Sequence, residues 1–189
     1  GHTDTARLLI QAGADVNIQD AIGNTALIWA SENGHTDTAR LLIKAEADGN
    51  IQKALRSTAL MGASENGHTD IARLLIQAGA DVNIQHHYGH TALIGASQGG
   101  HTDIVCLLIQ AGADVNIQAQ DGSTALMWAT PWGLTYITRL LIQAGADVNI
   151  QNQDGRTALM LAKQKGHRDI VNIIEQHLGI PQRRSCIIQ

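Results

Sequence analysis

Apolar and polar positions along the chain recur with a fixed spacing of 33 residues. Thr-Ala-Leu stands at 25–27, 58–60, 91–93, 124–126 and 157–159, and Leu-Leu-Ile at 8–10, 41–43, 74–76, 107–109 and 140–142. Ala-Gly-Ala-Asp-Val-Asn follows at 12–17, 78–83, 111–116 and 144–149. Each unit predicts two short helices and an extended turn. Thr25 suits the N-cap of the apolar stretch Ala26 to Ala30, which Gly34 ends because glycine accepts the left-handed conformation. Thr36 is expected to cap a second helix, with Asp37 against the positive end of its dipole and Ala39, Leu42 and Ile43 on one face. Asp15 to Gly23 forms the turn into the next unit. A lone helix pair cannot bury its apolar face. Stacking of neighbours does so, and the expected fold is an all-α solenoid without a closed central core.

Composition narrows the function. With 189 residues, 44% of them apolar and 16% charged, the chain suits a packed protein rather than a disordered one. Thirteen basic residues against 17 acidic ones, a net charge of −4 and no basic patch exclude nucleic acid as the expected partner. Two cysteines, Cys106 and Cys186, cannot build a disulfide framework. No apolar run approaches the roughly 20 residues that cross a bilayer, and Gly1 opens no signal region. A cytoplasmic monomer is expected.

The period, the Gly-x-Thr-x-Leu opening, Gly-His at 1–2, 34–35, 67–68, 100–101 and 166–167, and the Gly-Ala-Asp-Val-Asn element together resemble the ankyrin repeat. The resemblance covers residues 1 to 177. It implies an ankyrin-repeat solenoid of helix-turn-helix units joined by hairpin-like loops: a partial unit at 1–19, units at 20–52, 53–85, 86–118 and 119–151, a C-terminal cap at 152–177, and a flexible tail at 178–189. It also implies that hairpin tips and first helices form a concave side that binds other proteins. Asn83, Asn116 and Asn149 look like the asparagines that animal ankyrin repeats offer to an asparaginyl hydroxylase. Two departures run through every unit: Ala26, Ala59, Ala92, Ala125 and Ala158 replace the family's proline, and Ile28, Met61, Ile94, Met127 and Met160 its histidine.

Other departures are local. Lys53-Ala54-Leu55-Arg56 replaces a turn of the Asp20 to Gly23 kind, and Glu46 and Gly49 interrupt the preceding element, so Arg56 is expected to bear a strained positive φ. Pro131 should stop its helix early, and Tyr136 removes a helix-start carboxylate. Gly1 falls in mid-unit, which leaves Ala6, Leu9 and Ile10 without a partner helix and suggests a longer protein. The more polar stretch Arg168 to Glu175 reads as a terminal cap.

Candidate chemistry is sparse. The recurring His-Thr-Asp gives no nucleophile beside a base and an orienting group, so no catalytic residue and no cofactor are expected. Cys106 reads as a small core residue. His86, His87 and His90 crowd one hairpin as a polar turn; a zinc site needs four ligands at defined spacing, and no metal is expected. All five aromatic residues, Trp29, Tyr88, Trp128, Trp132 and Tyr136, occupy positions that vary between units. Aromatic side chains on rigid elements make binding anchors, and tryptophan serves equally to pack between first helices. Trp29 and Trp128 share a first-helix register three units apart, with Gly62 and Gly95 between them, so they are expected on the order of 30 Å apart across a shallow groove. Asn24, Leu55, His87 and His90 at the hairpin tips complete the candidate partner-binding surface. The last four residues, Cys186-Ile187-Ile188-Gln189, fit a farnesylation signal on Cys186, which would add a weak membrane association. The function expected is a non-catalytic protein-interaction module; the alternative is a structural spacer or targeting array within a longer protein.

Overall fold

The computed structural model describes residues 2–53 and 55–180; Cys186 and the farnesylation signal lie outside them. Among the described residues there are eleven α-helices and one 3-10 turn, and no strand. α1 (Thr3–Gln11) is followed by the pairs α2 (Ala26–Glu32) and α3 (Thr36–Lys44), α4 (Ala59–Glu65) and α5 (Thr69–Gln77), and α6 (Ala92–Gly99) and α7 (Thr102–Gln110). Then come α8 (Ala125–Ala129), the 3-10 turn Thr130–Trp132 and α9 (Thr135–Gln143), and last α10 (Ala158–Lys165) and α11 (Arg168–His177). The first helices α2, α4, α6, α8 and α10 stack on one another in order, and the second helices α1, α3, α5, α7, α9 and α11 form a parallel layer against them.

The apolar core lies between these layers and repeats with the sequence. Leu27, Leu60, Leu93 and Leu126 are buried from the first helices, and Ile71, Ile104, Ile137 and Ile170 from the second. Ala30, Ala63, Ala96, Ala129 and Ala162 are also buried, and their small side chains let the helices approach closely.

The first helices begin as the sequence expects. The side-chain oxygens of Thr25, Thr58, Thr91 and Thr157 accept the backbone N–H three residues on, at 3.2–3.4 Å, caps worth about 1 kcal/mol each. The second helices differ. Thr36 is not their cap but their first helical residue, and His35 occupies the cap position without a side-chain capping bond. Histidine at this register serves the neighbouring unit instead. The Nε2 atoms of His68, His101 and His167 lie 3.2, 3.0 and 2.9 Å from the backbone oxygens of Glu32, Glu65 and Pro131. A capping histidine cannot do both, because its ring is drawn across the turn of the preceding unit.

Further inter-unit bonds join the extended turns. Asn17, Asn50, Asn83 and Asn116 accept the N–H groups of Asp48, Asp81, Asp114 and Asp147 through their side-chain oxygens at 2.8–2.9 Å. Hairpin tips link edge to edge: the N–H groups of His87, Gln120 and Gln153 donate to the carbonyls of Leu55, Tyr88 and Asp121 at 2.8, 2.9 and 2.8 Å. The tips therefore form a continuous rail, which fixes the spacing of the side chains they carry.

Both local departures shape the backbone. Arg56 has a φ of 61° where Gly23, Gly89, Gly122 and Gly155 have 84°, 80°, 79° and 72°, and Glu46 has 63° where Gly13 has 81°. These are the two non-glycine residues with positive φ among the described residues. α8 stops at Ala129 and passes into the 3-10 turn, where the buried Thr130 hydroxyl donates to the Leu126 carbonyl at 2.6 Å. Pro131 lacks the N–H that would continue the α-helix.

Candidate functional site

The third hairpin is built around an imidazole that does a carboxylate's work. In the first hairpin Asp20 Oδ1 accepts the N–H groups of Ile22 and Asn24, at 3.0 and 2.9 Å. At the same register His86 Nδ1 accepts those of Tyr88 and His90, at 3.0 and 3.3 Å. In the neutral form of such a ring, an accepting Nδ1 leaves the proton on Nε2. This pins His86 against His90, the two rings stacked with centroids 4.8 Å apart and planes at 20°. Tyr88 meets His86 and His87 edge-on at 5.7 and 5.2 Å, and Trp128 from α8 lies 5.2 Å from His90.

The rings of His86, Tyr88 and His90 line an open depression of about 570 Å³, which Gln120, Asp121 and Gln153 complete. Burial, with the neighbouring His86, holds the His90 imidazole below its usual pKa of 6.5; the Asp121 carboxylate opposes that shift. Asp121 accepts the Ser123 N–H and hydroxyl, each at 2.9 Å.

The first-helix face continues from this cluster toward α2. Glu32 is ion-paired with Lys53. Its stem lies over Gly62, where an added Cβ would stand 2.5 Å from Glu32 Cγ, and Gly95 stands in the same relation to Glu65 at 2.6 Å. The two glycines are therefore seats for the glutamates of the preceding unit. Burial raises the Glu65 carboxyl above its usual 4.5, and the nearby Glu32 charge adds to this, against His86 and Lys53. At the far end Trp29 is half exposed, and its indole N–H donates to Asp20 Oδ2 at 3.3 Å. The Asn24 amide is the main reason that the Asp20 carboxyl is held at about 2, with the backbone N–H groups of Asn24 and Ile22 and the Trp29 indole adding to it.

The structure thus brings His87, Tyr88, His90 and Trp128 together and leaves Trp29 at the other end of the face. Leu55 is exposed at its tip. Trp132, 66% exposed, sits in the 3-10 turn about one helical turn beyond Trp128. Tyr136 is exposed on α9 in the second-helix layer, away from the hairpins. Asn24 departs from the expectation of a surface contact. It is 4% exposed, and its side-chain amide donates to Asp20 Oδ2 at 3.0 Å. Asp121 and Gln153 lie outside the residues singled out from sequence; the 33-residue register that sets Asp121 beside Tyr88 was the signal for them. Asn83 and Asn116 each have their side-chain oxygen engaged in the turn ladder. Among the described residues no group of three or more His, Cys, Asp or Glu is placed to hold a metal ion. No helix among them is long and apolar enough to cross a membrane.

A stack of helix pairs with a hairpin rail and a first-helix face defines a helical repeat protein. The family model described as "Ankyrin repeats (3 copies)" matches residues 1–86, 47–119 and 93–182, and the chain belongs to the ankyrin-repeat family. The crystal structure of the ankyrin repeat protein EF0377 is similar to it, with 33% sequence identity over 93% of this chain and 92% of that one and a TM-score of 0.87. A comparison with curated proteins gave no match. Ankyrin repeats are in general protein–protein interaction modules, and the fold is typically non-catalytic.

Proposed function

We propose that this chain is a non-catalytic module that binds a partner protein across its hairpin tips and first-helix face. The observation that carries the reading is the aromatic and apolar set on the rail and helices next to it: Trp29, Leu55 and Tyr88, each more than half exposed, with Trp128 packed against His90. Large rings on a backbone held by inter-unit bonds bury area at little entropic cost, which is how binding anchors work. His87 stands on the same tip as Tyr88, and Trp132 extends the first-helix face from Trp128. Tyr136, on the other layer, serves only a partner that wraps the edge of the stack.

The test compares capture from eukaryotic cell lysate by the chain and by a Trp29→Ala, Trp128→Ala, Trp132→Ala variant with matched circular dichroism, followed by titration of the captured protein in purified form. A saturable partner retained by the first and weakened at least about tenfold by the second is expected. Partners indifferent to the tryptophans, or none that saturates, would favour the spacer reading.

A further inference from the structure

The depression beneath Tyr88 has an unusual balance of hydrogen-bonding groups. Gln120 Nε2 donates to the His87 carbonyl and Gln153 Nε2 to the Gln120 carbonyl, both at 2.6 Å. One N–H of each amide is thereby held on the rail, and the Oε1 atoms remain as acceptors for a ligand. Asp121 adds a carboxylate whose bonds to Ser123 use part of its accepting capacity, since two oxygens offer about four lone-pair directions. The lining therefore sets these acceptors beside the donors of the His86 Nε2–H and the Tyr88 hydroxyl. Neighbouring cations are occupied with their own hairpins: Arg56 donates to Gln52 at 3.2 Å, and Arg156 lies 3.8 Å from Asp154. The rings of Tyr88, His86 and His90 complete the lining.

A carboxylate and amide oxygens beside aromatic rings in one depression suit a flat cation with many donors. A guanidinium stacks on rings, carries five N–H donors in a rigid fork and stays charged, whereas an ammonium is compact and strongly hydrated. A neutral aromatic group would gain nothing from the Asp121 carboxylate. We propose that this depression receives an arginine side chain of the partner protein, stacked on Tyr88 and forked toward Asp121 with the Gln120 and Gln153 carbonyls beside it. The proposal rests on the interaction reading above and names the chemistry of one contact within it.

The experiment uses Nα-acetyl-arginine methylamide as the probe, titrated into the 15N-labelled full chain and followed by amide and side-chain NMR shifts, with the citrulline and lysine analogues as controls. Citrulline keeps the shape of arginine and removes its charge. We expect saturable shifts confined to residues 86–90, 120–123 and 153, with dissociation in the range of about millimolar. Citrulline should bind at least about tenfold more weakly and lysine several-fold more weakly, given one exposed ion pair and one cation–π contact. Asp121→Asn, which keeps an oxygen for Ser123, and Tyr88→Leu, at an exposed tip, should each bring arginine down to the citrulline level while the remaining spectrum stays in place. Equal shifts for arginine and citrulline, shifts scattered over the surface, or indifference to both substitutions would overturn the proposal. None of those results bears on the tryptophan-dependent capture, so failure here leaves the interaction reading to its own test.

Discussion

The imidazole of His101 reaches back 36 residues to the carbonyl oxygen of Glu65, Nε2 to O 3.0 Å, and covers Gly67, where an added Cβ would stand 2.7 Å from the ring. That glycine is required twice, by its φ of 76° and by the ring above it. The contact repeats between His68 and Gly34 and, more loosely, between His167 and Gly133, but Leu134 takes the histidine's place above Gly100. His101→Ala removes one hydrogen bond and its packing between units and should cost about 1–2 kcal/mol in urea unfolding. Leu134→His should return the missing bond and stabilise by about 0.5–1 kcal/mol. A loss from His101→Ala no larger than that of an exposed surface substitution would show that the ring packs without bonding.

Arg56 and Glu46 hold a conformation that glycine adopts at both registers in the other units. A left-handed non-glycine residue costs roughly 1–2 kcal/mol, offset in the native state only by what its side chain gains. Arg56 gains little, one exposed bond to Gln52 at 3.2 Å. Arg56→Gly should therefore raise stability by about 0.5–1 kcal/mol despite the greater freedom glycine gives the unfolded chain, and Glu46→Gly should do the same. Both substitutions leaving the denaturation midpoint unchanged would mean that the hairpin relaxes its strain by another route.

The repeat made the core legible, because Leu27, Leu60, Leu93 and Leu126 meet the same surroundings in each unit and one reading serves them all. Arg56 was legible for the same reason, as an exception at a glycine register. What sequence could not show was any bond to a backbone oxygen in the neighbouring unit. Histidine in Gly-His has no local sign that its partner lies 36 residues away, and Thr36 looks like a cap until that is known. Asn24 misled because a polar residue that varies between units reads as exposed, yet it is buried with its amide bonded to Asp20. The ring cluster joins residues on adjacent units, His90 and Trp128, through an offset between tip and helix that only the stacked geometry fixes.

Glu65 is a carboxyl whose pKa in the folded protein lies above its ordinary 4.5, chiefly through burial. The native state then holds a proton more readily than the unfolded state does. Its contribution to stability is complete below about 4.5 and is lost as pH rises through the folded value, so at neutral pH the charge works against folding. Glu65→Gln should raise the melting temperature at neutral pH, and the advantage should shrink to nothing as the pH falls toward 4.5. An advantage that persists unchanged in acid would assign it to packing over Gly95 rather than to charge.

His90 runs in the opposite sense. Burial first, then the stacked His86, press its folded pKa below 6.5, against the pull of Asp121, while the Trp128 ring covers one side and offers no charge. The unfolded chain therefore binds more protons than the native one in the interval below 6.5, and stability rises with pH across it. The contribution is present above 6.5 and is lost as the pH falls through the folded value. Protonation there places a cation beside His86, whose Nδ1 accepts the Tyr88 and His90 N–H groups. Thermal unfolding should thus show a melting temperature that declines between about pH 7 and pH 5.5, with a shallower decline in His90→Gln. A slope identical in both proteins would shift the dependence to the exposed histidines and remove His90 as its source.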